Sequence, residues 1–513
     1  MKEFDYIVVG SGCAGLSASL ELAVNNRKVL LIEQHNIPGG CATSFVRGRF
    51  EFDPSLHELC GVGSQEDPGF VRKMFAKYGV DIEWCEATDC FRVISTYSDG
   101  TPMDVTMPSG KEAFIDKMEY YVPGSRDSVT KFFALMQNIQ DGLDYISGDK
   151  IDPREIIKKY VPMVRAGGYT TSVVFDALGL PQRAQDILSV YWTYLGVDME
   201  KLSFLHYASM VNTYVTKSAY YPAHTSHEIS VKMVERLREL GGTVMMGCRA
   251  EKFLFEGDKC VGVQTNLGTF RAKYGVLANI NPDIVHGKMV PPHLVPKREK
   301  KIAAARDRKI GGRMFTAYFG LNKTAEELGI KDYSIFLVGT SDSVKEYESL
   351  KHISTNNYAI MLCYNIHNEK FSPEGTCVVS FTTMFTSAED FNVLDENAYF
   401  KLKTQMAKKF MDLLKEKAGI DISDAVEEIT VASPYTFARY LNAPEGGVYG
   451  FETTQWDGII PRTIEMTMGL DYKIKHLYTI GTNGVRGDGY SSAYTDGQIL
   501  ADRALAQFEK EDA

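Results

Sequence analysis

The chain has 513 residues, 44% apolar and 24% charged, a balance typical of a globular protein too long for one ordinary domain. Its formal charge of -10, with no long block of Lys or Arg, excludes nucleic acid as a partner, because neutralising phosphates needs clustered cations. Nine cysteines, none in Cys-x-x-Cys spacing, read as free thiols of a reducing cytoplasm, and no metal is expected.

Residues 1–5 (Met-Lys-Glu-Phe-Asp) have no basic stretch and run into an apolar strand, so no secretory leader is expected. No apolar run approaches the about 20 residues of a membrane span. A cytoplasmic protein is expected, with peripheral membrane contact left open. Residues 4–9 (Phe-Asp-Tyr-Ile-Val-Val) predict a buried parallel strand. A glycine-rich turn, a helix over 16–23 and a strand over 28–33 complete a β-α-β unit. Residues 36–64 are rich in glycine and predict an ordered loop over a ligand. Between 125 and 215 aromatic and Met residues recur at helical spacing, as in Phe132, Phe133 and Met136, then Tyr191, Trp192, Tyr194 and Leu195. Such helices suit either a lid over an apolar channel or ordinary core. An amphipathic helix over 228–240 stops at Gly241-Gly242, and strands follow at 243–256, 259–265 and 274–279. Residues 313–440 mix strand and helix, and 476–509 return to strand, glycine-rich loop and helix.

Chemistry concentrates first in Gly10-Ser11-Gly12-Cys13-Ala14-Gly15, which fits G-x-G-x-x-G. The first glycine permits the tight turn, the second lets backbone approach a diphosphate, and the third lets helix and strand pack closely. The helix starting near Ala14 offers its free N–H groups to that diphosphate. Glu33, ending the next strand, is placed to accept from ribose hydroxyls. Cys13 reads as a small packing residue. Three further segments favour FAD over NAD. Gly39, Gly40 and Cys41 resemble the second glycine pair of FAD proteins, where backbone passes the extended flavin chain. Residues 241–279 resemble the middle segment that in FAD oxidoreductases packs backbone, here near Ala250, against the adenine. Gly481, Thr482 and Asn483 follow a late strand, which in such proteins is the place of a loop against the ribityl and flavin. No second G-x-G-x-x-G is present, so a separate nicotinamide domain is not expected.

The expected fold is α/β: a discontinuous Rossmann-type FAD-binding domain (1–115, 216–285 and 450–513) and an α+β substrate-binding domain with a helical lid (116–215 and 286–449). These segments together resemble the flavoprotein group of phytoene desaturases, carotenoid isomerases and retinol saturases, its retinol saturase branch most. Phe50-Glu51-Phe52-Asp53-Pro54-Ser55-Leu56-His57 is similar to that branch's Phe-Asp-x-Gly-x-His stretch, with Ser55 in place of glycine. Tyr220-Tyr221-Pro222 resembles a Tyr-Pro-x-Gly-Gly helix entry, with Ala223-His224 for the two glycines. Ser433-Pro434-Tyr435-Thr436, Tyr440 to Pro444 and Gly447-Val448-Tyr449-Gly450 resemble a loop beside the flavin and substrate channel.

The resemblance implies an FAD-dependent oxidoreductase acting on carbon–carbon double bonds of a lipophilic polyene, with saturation as the leading form. Its electron donor or acceptor stays unidentified. Flavin chemistry of this kind needs a side chain that adds or removes a proton in a dry pocket. His57 is the first candidate and Glu58 the second, if burial raises its pKa. Tyr449 and Tyr490, in glycine-flanked loops, would donate hydrogen bonds or pack as aromatic walls. His224 is a weaker candidate, and Arg486 and Asp488 would pair with each other or with the cofactor. Rival readings are a redox-neutral cis–trans isomerase or desaturase, an amine oxidase, and a non-enzymatic GDP-dissociation-inhibitor-like binder of prenylated protein.

Overall fold

The computed structural model describes residues 2–146, 152–305, 309–454, 462 and 474–511. Five parallel strands form the heart of one sheet, in the order Thr243–Met245, Val29–Ile32, Lys2–Val9, Gly268–Ala278 and Leu477–Thr479. Val29, Leu30, Leu31 and Ile32 have no exposed surface, as a strand covered on both faces requires. The helices Cys13–Val24, Ser226–Glu239 and Tyr490–Glu511 cover one face through Leu16, Leu20, Met233 and Ala501. An antiparallel meander, Ala250–Glu256 and Lys259–Thr265, hangs on the first half of Gly268–Ala278. The predicted strand over 243–256 is therefore two strands; Gly247, at positive φ, turns the chain between them.

The second sheet has seven strands: Val426–Ala432, Arg313–Leu321, Cys377–Phe385, Ala359–Cys363, Ser334–Leu337, Asp89–Thr96 and Pro102–Pro108. All neighbours are antiparallel except Ser334–Leu337 with Asp89–Thr96. One face packs on the helix Glu396–Ala418 through Met406, Phe410 and Leu414. The other meets a helical layer in which Phe132, Phe133, Tyr191 and Trp192 are buried against Phe91 and Phe336.

Two expected domain boundaries move. Asp89–Thr96 and Pro102–Pro108, assigned by sequence to the first domain, build the second sheet, where Ile335 pairs with Arg92. Strand character is local, but the choice of sheet is a long-range pairing that periodicity does not encode. Conversely Met289 and Val290, assigned by sequence to the second domain, pack with Ile7, Ile32 and Val276 of the first sheet. Of the segments expected in the two domains, 147–151, 306–308, 455–461, 463–473 and 512–513 lie outside the described residues. No helix among the described residues is long and apolar enough to cross a membrane.

Candidate functional site

A cavity of about 520 Å³ opens at the carboxyl ends of the parallel strands, the place where open α/β sheets bind ligands. Four of the five strands deliver a residue there: Gly10 after Val9, Glu33 after Ile32, Asn279 after Ala278, and Gly481 shortly after Thr479. Every predicted site residue except Gly15 and His224 lines it. Gly15 does the packing work: a Cβ there would stand 1.8 Å from the Gly10 carbonyl oxygen. At Gly12 a Cβ would meet Asn279 Nδ2 at 2.7 Å, so the turn must be bare backbone. No side chain caps the helix that starts at Cys13, which leaves its first N–H groups for an anion.

The neighbouring elements are braced. Glu33 Oε2 accepts from Ser11 N and Oγ, both at 2.8 Å, and Oε1 accepts from His35 N at 2.8 Å. The Glu33 backbone also joins Met245 and Cys248, which sets the path toward Ala250. Gly39 N donates to Ser11 O at 2.9 Å, placing Gly40 and Cys41 along the cavity. The loop from Gly481 is held from below by Asp496, whose oxygens accept from Gly481 N at 2.7 Å and Val485 N at 2.6 Å. Asn483 Oδ1 accepts from Phe451 N at 3.1 Å and so clamps the Gly450 loop, while Thr482 lies beside it. Burial pushes the Cys13 thiol up to about 12 and that of Cys41 up to about 11, so both stay protonated and unreactive.

The opposite end of the cavity is made of side chains. Asp53 accepts from Ser55 N, Leu56 N and Ser226 N, at 3.2, 2.9 and 2.7 Å, and so ties the 53–58 loop to the start of the helix Ser226–Glu239. That loop presents His57 and Glu58. Burial raises the Glu58 carboxyl to about 7; its Oε1 accepts from Tyr194 Oη at 2.9 Å, and its buried Oε2 has no partner. Burial drives His57 down to about 4, so its ring is neutral and is not a proton donor near neutral pH. His57 Nδ1 lies 3.4 Å from Tyr194 Oη, and Nε2 lies 3.3 Å from Thr382 Oγ1, itself 3.1 Å from Thr316 Oγ1. Since Tyr194 gives its proton to Glu58, the consistent tautomer carries the proton on Nδ1. All hydrogen bonds from Thr382 to Glu58 then run one way.

Tyr490 Oη donates to Cys41 O at 3.0 Å and lies 2.7 Å from Ser55 Oγ, pinning two cavity loops together. Tyr449 packs its ring on the backbone of Gly196 and Gly312, as an aromatic wall. His224 is exposed and does not line the cavity. Arg486 and Asp488 do not pair with each other: Asp488 Oδ1 lies 3.1 Å from His206 Nε2, both residues buried. Sequence reasoning did not single out His206, Thr382, Asn279 or Asp53 for a role, and it read Tyr194 only as part of a stripe. The spacing of Tyr191 and Tyr194 was visible, but nothing local shows that Tyr194 leaves that stripe to meet Glu58. Among the described residues no group of three or more His, Cys, Asp or Glu is placed to hold a metal ion.

The family model for NAD(P)-binding Rossmann-like domains matches residues 8–78. All-trans-retinol 13,14-reductase of Homo sapiens is 23% identical over 482 residues, covering 88% of this chain and 77% of that protein. Prolycopene isomerase 2 of an Oncidium hybrid cultivar is 24% identical over 559 residues, 99% of this chain and 85% of the other. The solved structure of putrescine oxidase bound to putrescine superposes at a TM-score of 0.63 with 11% identity, over 98% and 99% of the two chains. That last likeness is one of fold.

Proposed function

We propose, on the similarity to all-trans-retinol 13,14-reductase and prolycopene isomerase along most of the chain, that the protein is a phytoene desaturase, carotenoid isomerase and retinol saturase-like FAD-dependent oxidoreductase that saturates a carbon–carbon double bond of a lipophilic polyene. The observation that carries this reading is Glu58: a buried carboxyl, held near neutrality by its surroundings, with one unpartnered oxygen in the wall of a dinucleotide cavity.

The residues fit the cofactor. Backbone at Gly10, Gly12 and Ala14 would hold the diphosphate, Glu33 the adenosine ribose, and backbone near Ala250 the adenine. Gly39, Gly40 and Cys41 would follow the chain, with Gly481, Thr482 and Asn483 toward the ribityl and flavin. Bound there, FAD supplies hydride chemistry at its flavin ring. The protein adds the proton. Glu58 Oε2 carries it, Tyr194 fixes the rotamer through Oε1, and neutral His57 orients Tyr194. Leu195, Met210 and Tyr214 keep the far end apolar and exclude water from that proton. A mere binder of prenylated protein would have no use for a proton poised in this way.

The test is anaerobic. The purified protein is reduced with dithionite, then offered retinoids, carotenoids and unsaturated fatty acids while flavin reoxidation is followed. Reoxidation with a product two hydrogens heavier is expected. A product of unchanged mass and altered geometry would replace saturation by isomerisation, and a colourless protein that refuses added FAD would end the redox reading.

A further inference from the structure

A second chamber of about 500 Å³ adjoins the first, and the two share Phe70, Gln140, Thr213, Arg486 and Thr495. Near this junction the first cavity is apolar, with Leu195, Met210 and Tyr214. The second is polar and carries both signs of charge, with Lys73, Lys217, Asp144 and Asp502 beside the amides of Gln137 and Asn212. Of the shared residues only Arg486 is charged. Its guanidinium makes no ion pair and no hydrogen bond among the described residues, although it lines both chambers. Burial disfavours its charge, and Asp144 and Asp496 act on it only through space. Those acids are engaged elsewhere: Asp144 accepts from Gln140 Nε2 at 2.8 Å, and Asp496 from Gly481 N and Val485 N. Beside it Asn212, 4% exposed, has a side-chain amide with no hydrogen bond among the described residues. A guanidinium in a cavity wall with no direct ion pair or hydrogen bond is costly, and such groups are kept where a ligand supplies the missing contacts.

Resting on the function proposed above, we propose that the substrate is an amphiphile whose carboxylate docks on Arg486 at the junction while its apolar chain lies past Met210 and Tyr214 toward Glu58. The guanidinium fork matches a carboxylate in two parallel hydrogen bonds, and Asn212 adds a donor. Glu58, Cys60 and Arg486 all line the first cavity, so the docking group and the proton donor face one space. A diphosphate offers the same anionic oxygens. It already has the bare amides from Gly12 to Ala14, whereas Arg486 is grouped with Gln140 and Thr213 of the helices Arg126–Ile146 and Phe204–Lys217.

The flavin-loaded protein is titrated with all-trans-retinoic acid and with its methyl ester, reading the perturbation of flavin absorbance. KM is then measured for both after anaerobic reduction. The acid should bind about 10- to 100-fold tighter than the ester, a difference lying in Kd and KM rather than kcat. Arg486→Gln should erase most of that ratio and Arg486→Lys should keep part of it. Equal affinity for acid and ester overturns the proposal. So does loss of flavin from both variants, which would assign the guanidinium to the diphosphate. Acid preference without any reoxidation would uphold the docking site and sink the saturase reading, so the two failures are told apart.

Discussion

At the diphosphate corner the walls are backbone: Gly10, Gly12 and Gly481 follow strands of one parallel sheet, and Gly39-Gly40 lie on the loop that leaves the strand before Glu33. At the proton-delivering end the walls are side chains, and they come from four places. Glu58 and His57 arrive on a loop, Tyr194 from the turn after the helix Gln182–Ser189, Met314 from the second sheet, whose Thr316 and Thr382 brace His57 from behind, and Met210 and Tyr214 from a long helix. A surface of amides tolerates almost no added atom but tolerates change in most side chains around it. A surface of side chains tolerates modest volume changes, but moving one donor resets the protonation of its neighbour. The two ends should therefore fail in different ways.

Gly15→Val tests the first rule and should have the largest effect. Its Cβ would lie 1.8 Å from the Gly10 carbonyl oxygen, so the first helix cannot seat on its strand. A loss of more than about 4 kcal/mol is expected, seen as insoluble protein or a collapsed Tm without bound flavin. A soluble variant that still binds flavin would erase the distinction between the two ends.

Glu58→Gln tests the second rule. Turnover should fall about 100- to 10,000-fold while flavin content stays at the parent level. The parent's rate should drop as pH rises through about 7, because the protonated carboxyl is the useful form, and the variant should lose that limb. Stability follows the same group. Its folded pKa, about 7, lies above the ordinary 4.5, so folding is favoured by the proton. That contribution is whole below pH 4.5 and is lost as pH rises to about 7. Glu58→Gln should flatten this part of the Tm profile, leaving the smaller share of Asp53 and Asp496, whose carboxyls burial lifts to about 6. A steep parent profile unchanged in the variant would assign the titration elsewhere.

The contrast also decides what could be read from the sequence. Gly10, Gly12, Gly15 and Glu33 announce themselves because each is a local requirement of a turn, a close approach or a strand end. The β-α-β unit, the helix near 228–240 and the closing strand and helix were legible for the same reason. Glu58 and His57 were reached as proton-transfer candidates through a resemblance carried by their loop, yet with His57 ranked first. Which of them is neutral depends on Tyr194 and Thr382, more than a hundred residues away in chain and joined only by packing. The placement of Asp89–Thr96 in the second sheet escaped by the same cause, a pairing with Ser334–Leu337 that no local pattern states. His206 with Asp488 is a third case, two buried groups 3.1 Å apart whose partnership only the fold creates.

Tyr194→Phe sharpens the comparison further. The hydroxyl holds Oε1 of Glu58 and lowers its pKa relative to burial alone. Without it the alkaline limb of the rate should move upward in pH, and turnover at pH 6 should fall about tenfold as the carboxyl loses its rotamer. A limb displaced downward would show that the phenol acts on something other than Glu58.

Tyr490→Phe should have the smallest effect, and it separates pinning from chemistry. The hydroxyl donates to Cys41 O at 3.0 Å and meets Ser55 Oγ at 2.7 Å, so both its valences serve the loops. Removing it deletes one net hydrogen bond while the Cys41 carbonyl keeps its donor Thr43 N at 3.0 Å, a loss of about 1 kcal/mol in stability and a few-fold in flavin affinity. Turnover of the flavin-loaded variant should change by less than the 100-fold that marks a lost acid or base. A larger drop, with the pH limb displaced as well, would move the proton source from Glu58 to the phenol at the start of the last helix, and the proton-delivering end of the cavity would then be built on the same sheet edge as the diphosphate corner.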